Sequence, residues 1–281
     1  MKTWKKIILG VSLISLFLGG GLVAWGYSQG GLTDLQNKTI SEQDYVKKEV
    51  KDFNKIDIKS SSYNVLIKNG EVDKATLSYY QKTKNPIDTS VKDGQLTIND
   101  NNSELDSTSN KHINFFGLKD LVRLSTLNKE VRNKTIVITL PKKQTIDFLK
   151  VDLATGNLDL SNSTIKQADI NLNVGDLTFT KMIVSNLKAN LDVGSVDSDH
   201  TLFTNSDLSI AMGDYSGDNL IFNGHNKLDV TSGDIEIALK DYTLNVQADS
   251  HSGEVDITNN LKISKDNTLT ITSDLGDITV E

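Results

Sequence analysis

Asp176, Asp214, Asp234, Glu254 and Asp277 each stand directly after a glycine, at near-constant intervals through the second half of the chain. Held at the spacing of neighbouring strands, such carboxylates would form a column, and stacked like charges repel unless something neutralises them. Calcium, which takes oxygen ligands in flexible geometry, is the cation suited to that task. Two features weigh against it. Asn157 and Ser195 interrupt the column, and the glycine-rich nonapeptide of calcium-binding rolls is absent. The expectation is that these side chains cap turns and hold no metal or cofactor.

Paired acids, or an acid beside a Lys or Arg, would also serve polysaccharide cleavage, a chemistry that parallel β-helices host. Acidic residues abound, but no cluster of them departs from the repeat, and chemistry usually breaks the local rule. His112, His200, His225 and His251 fall at unrelated phases of the repeat and read as surface residues. There is no phosphate-cradling glycine loop and no nucleophile elbow. The chain reads as a non-enzyme, with a carbohydrate-active β-helix enzyme and a calcium-stabilised surface scaffold as the alternatives.

The element that positions these acids is a phrase repeated around Gly156, Gly175, Gly194, Gly213, Gly233, Gly253 and Gly276, at intervals of 19, 19, 19, 20, 20 and 23 residues. A period this short means that each unit is one coil of a stack. Five residues before each glycine stand Val151, Ile170, Ala189, Leu208, Leu228, Ala248 and Ile271, all apolar. Two after it stand Leu158, Leu177, Val196, Tyr215, Ile235, Val255 and Ile278; nine after the first five stand Ile165, Val184, Phe203, Phe222 and Tyr242. Four before it the residues are polar throughout, from Asp152 to Thr272, and should face solvent. The fold class this predicts is all-β, a parallel β-solenoid of ~20-residue coils over 145–281. The glycines are its corners, where a sharp turn calls for positive φ. A β-sandwich is the architectural rival, but sandwich strands do not usually need one residue class at one offset from a glycine.

Upstream, Ile56, Ile58, Tyr63, Val65 and Ile67 alternate with polar residues around Ser61, which stands where the glycine would be. This reads as an irregular N-terminal cap, since terminal repeats are atypical. Asp93-Gly94 between alternating segments signals a hairpin. Residues 99–133 form an insertion: a polar run, then an apolar patch containing Phe115, Phe116, Leu118 and Leu121 that either covers an open end of the stack or docks a partner or lipid.

The chain's first six residues are a basic cytoplasmic end, followed by an apolar stretch at 7–27 long enough for one transmembrane signal anchor. Cleavage after a small-residue pair, Ala24 and Gly26, is the competing reading. Either way the domain is exported, through a stalk at 28–52 to an extracellular domain at 53–281. Without cysteines there are no disulfides or thiolate sites. A net charge of −7 provides no basic stripe for nucleic acid.

The strand unit around Ser61 and the ladder of G-[DNSE]-apolar-x-apolar phrases resemble the adhesin-type family of bacterial envelope proteins, a domain of unknown function with a repeated Gly-Asp β-solenoid. The resemblance spans roughly Phe53 to Glu281 and brings no functional residues with it. It implies a cell-envelope location, with relatives tied to envelope-stress responses in Gram-positive bacteria. The resulting expectation is a single-pass cell-membrane protein that displays a non-catalytic solenoid for adhesion, ligand binding or envelope-stress signalling. Its partners would be the membrane through 7–27 and an unknown envelope protein or glycan.

Overall fold

Strict alternation within short segments, broken at fixed intervals by residues that tolerate unusual backbone angles, dictates a polygonal coil. The computed structural model describes residues 43–82, 86–100 and 134–281. One coil consists of a back strand, Ala168–Val174, a front strand after the corner glycine, Leu177–Thr180, and a short side strand, Ile183–Ser185. Like strands of successive coils pair in parallel and in register. Ile170 lies on Ala189 and Ala189 on Leu208; Leu177 lies on Val196 and Val196 on Tyr215; Ile183 lies on Leu202 and Leu202 on Ile221. The architecture is a three-faced parallel β-solenoid, and no helix occurs among the described residues.

Each face feeds the core. The apolar positions five before and two after the glycines are buried in every coil except that of Gly253, where Ala248 is half-buried and Val255 is 41% exposed. On the side face Phe203 stacks on Phe222 with ring centroids 5.8 Å apart and meets Phe179 edge-on at 5.3 Å. The other two corners use left-handed backbone at non-glycine residues. Asn162, Lys181, His200 and Asn219 hold φ between 49° and 55° where front turns into side, and Asn186 and Asn205 do so where side turns into back. Asparagine suits this conformation because its short amide bonds locally; His200 thus has a repeat phase that the sequence reading did not give it.

At both ends the order in space departs from the order in sequence. The last strand pair, Thr268–Leu275 and Ile278–Val280, inserts between the coils of Gly233 and Gly253, so that Leu228 pairs with Ile271 and Ile271 with Ala248. Likewise the first unit, Lys55–Ser60 and Asn64–Gly70, lies directly on the coil of Gly156, while the later strands Gln95–Asn99 and Thr135–Pro141 stack outside it. A strand inserted this way has ladder bonds on both sides, whereas an edge strand has them on one. The outer N-terminal coil is then covered by antiparallel strands: Thr76–Lys82 pairs with Thr135–Pro141, and Asp88–Lys92 forms a hairpin with Gln95–Asn99 through Asp93 and Gly94 at φ 51° and 72°.

Two expectations change. Register places Tyr63 and not Ser61 under the first corner: Ser60 pairs with Leu153 and Val65 with Leu158, so Tyr63 faces Gly156. Because strand periodicity is two residues, a slip of two leaves every side chain on the same face and is invisible in the pattern. The stretch read as stalk, 28–52, ends in structure, since Gln43–Glu49 is a strand beside Thr76–Lys82 and Val50 is buried. The anchor at 7–27 and the patch of Phe115, Phe116, Leu118 and Leu121 lie outside the described residues.

Candidate functional site

The glycine corner is built by close approach of successive coils. An added Cβ on Gly194 would lie 2.0 Å from the carbonyl oxygen of Gly175, and on Gly213 2.0 Å from that of Gly194. Gly156, Gly175, Gly194, Gly213, Gly233 and Gly276 also hold φ between 142° and 151°, backbone that only glycine adopts readily. Gly253, on the terminal coil, lacks the positive φ but approaches the Gly276 carbonyl just as closely.

The residue after each glycine bonds to the next coil and not to its own turn. The Asp176 amide donates to Asn157 Oδ1 at 3.0 Å, that of Ser195 to Asp176 Oδ1 at 3.0 Å, and that of Asp214 to Ser195 Oγ at 3.4 Å. Asp234, Asp277 and Glu254 continue the chain in spatial order, their amides donating to Asp214, Asp234 and Asp277 at 3.0, 2.9 and 2.8 Å. Each side-chain oxygen satisfies an amide that the corner leaves outside the sheet ladder. Asn, Asp and Ser all supply that acceptor, which explains why the column tolerates Asn157 and Ser195.

Elsewhere, Asp199, His200 and Asp218 bring three ligand-type atoms within 4.8 Å of one another at the front-to-side corner. His200 Nδ1 is 2.6 Å from Asp199 Oδ1, and Asn219 Nδ2 donates to Asp218 Oδ2 at 2.8 Å, so a cation there would displace both contacts. Asp159 is buried on the front face, with Oδ2 unpaired among the described residues. Desolvation pushes its carboxyl up to about 8; the Thr178 hydroxyl opposes the shift, and Asp176 and Asp197 add to it.

On the back face the position six before each of the first five glycines reads Lys150, Asp169, Lys188, Asp207 and Lys227, stacked in register with Asp57 below Lys150, before the uncharged Thr270 and Gln247 end the run. Charges therefore alternate in sign from coil to coil. The signal was available at fixed offset from the glycines but is masked in net composition.

A depression of about 510 Å³ opens where the first unit meets the coils of Gly156 and Gly175. Lys59, Asn99, Asp152, Asn171 and Asn173 supply its polar wall, and Ala154 an exposed methyl beside the buried Leu153. Beneath them Ser60 and Ser61 hydroxyls donate to Asp100 Oδ2 at 3.2 and 3.1 Å, while Ser60 Oγ accepts the amides of Ser62 and Tyr63 at 3.3 and 3.0 Å. Asn171 Nδ2 donates to Asp152 Oδ1 at 2.9 Å. Sequence reasoning missed this site because its residues come from four strands, two of them outside the regular repeat.

The family model described as Toastrack DUF4097 matches residues 53–281. No curated protein matches the chain. Among solved structures, it is similar to a candidate cell adhesion protein from Clostridium sporogenes (17% identity, 85% of this chain and 99% of that one, TM-score 0.37). It is also similar to a candidate adhesin from Bacteroides fragilis (16%, 86% and 98%, 0.41). A third, named a candidate lipid-binding protein, is from Parabacteroides distasonis (12%, 86% and 98%, 0.46).

Proposed function

Because this chain belongs to the Toastrack DUF4097 family, we propose that it is a membrane-anchored envelope protein whose solenoid is a non-catalytic display scaffold for adhesion or ligand binding. The observation that carries this reading is the corner ladder. Four of the acids that could have formed a cation column or a catalytic pair, Asp176, Asp214, Asp234 and Asp277, instead accept an amide of the next coil at 2.8 to 3.0 Å, and Glu254 ends the column on the terminal coil. Their chemistry serves the stacking of the coils, which leaves the flat faces between corners for recognition. The apolar stretch at 7–27 holds the scaffold at the membrane with the solenoid outside.

Fractionation of cells with protease added from outside tests this. The solenoid should travel with membranes and be cut in intact cells; protection until lysis overturns the reading.

A further inference from the structure

We infer that the polar depression at the N-terminal end of the solenoid is a binding site for a neutral glycan, an assignment that rests on the display reading and gives it a ligand class. The lining mixes donors and acceptors: the amides of Asn99, Asn171 and Asn173, the Lys59 ammonium and the Asp152 carboxylate. Sugar hydroxyls donate and accept at once, so they pair with such a mixed wall, and each good pair matters because a wall group left dry and unpaired costs free energy.

Charge selects against other ligands. Lys59 lines the wall with Asp100 and Asp152, and Lys150 Nζ lies 3.6 Å from Asp152 Oδ2, so two lysines balance two carboxylates and no excess positive charge is left for a polyanion. Lys59 stacks next to Asp152 in register, and Asp100 Oδ2 is occupied by two serine hydroxyls. The exposed Ala154 methyl offers an apolar contact of the kind a sugar ring's C–H face takes, and about 510 Å³ is room for a short oligosaccharide. The floor is preorganised, because Ser60, Asp100 and Asp152 are fixed by bonds to protein groups.

The test is titration calorimetry of the full chain, held in a detergent without a sugar headgroup, with N-acetylchitotetraose as the neutral probe and polygalacturonate as the anionic one. The expected result is binding of the neutral probe alone, weakened about tenfold by Asn173→Ala and by Lys59→Ala. Ser209→Ala, on the same face at mid-solenoid, should leave it unchanged, and equal melting temperatures establish that the variants fold. No heat with the neutral probe, preference for the anionic one, or equal binding by all variants overturns the site. Since the titration uses purified protein, it fails or succeeds independently of where the solenoid lies in the cell.

Discussion

Asp214 Oδ1 accepts the backbone N–H of Asp234, 20 residues further along the chain and one coil up, at 3.0 Å. Replacing this acceptor by Ala strands an amide, and Asp214→Ala should cost about 1 kcal/mol in urea unfolding. Asp214→Asn should be nearly neutral, because Asn157 already fills the same role for Asp176. If the column instead held calcium, Asn would be as damaging as Ala and a chelator would lower the melting temperature; neither is expected.

Gly194→Ala meets two obstacles at once, a φ of 145° and a carbonyl 2.0 Å from the new Cβ. Strain and overpacking together predict a loss of about 3–5 kcal/mol, read as a lower urea midpoint at unchanged slope. Gly253→Ala should cost clearly less: its φ is not positive, and its coil has a neighbour on one side. Equal losses at the two sites would show that the backbone angle contributes nothing.

The contrast between these glycines marks what was legible in the sequence. Class, coil length and inward positions follow from the phrase around each glycine, since stacked coils repeat one environment. Which coil stacks on which does not, because Ile271 offers Leu228 and Ala248 equivalent apolar partners and the pattern assigns no neighbour. The 23-residue interval before Gly276 was the one irregularity that pointed to the inserted strand. For the same reason the two-residue slip from Ser61 to Tyr63 went unseen, and so did the depression that Ser60 and Asp100 form across strands 40 residues apart.

Lys188 lies between Asp169 and Asp207 in the back-face ladder. Lys188→Glu would set three acids in a row, with Lys150 and Lys227 beyond them. Cross-strand repulsion at exposed positions should cost roughly 0.5–1 kcal/mol at low ionic strength. Salt should erase most of this, because exposed charges are screened. Melting temperatures of variant and parent should therefore converge as salt is added; a gap that persists would mean lost packing and not lost charge.

Asp159 gives the pH dependence a definite sign. Its carboxyl titrates near 8 in the folded chain, against 3.8 ordinarily, with burial as the main cause. Below about pH 4 both states hold the proton and the group makes no difference. Between about pH 4 and 8 the folded chain retains the proton that the unfolded chain releases, so stability falls as pH rises; above about 8 the loss is complete. Asp159→Asn cannot ionise and should remove this descent, its melting temperature drawing level with or passing the parent's toward pH 8 while the difference near pH 4 reflects packing alone. Parallel melting curves across that range would mean that Asp159 is ionised in the folded protein and that water reaches its unpaired oxygen.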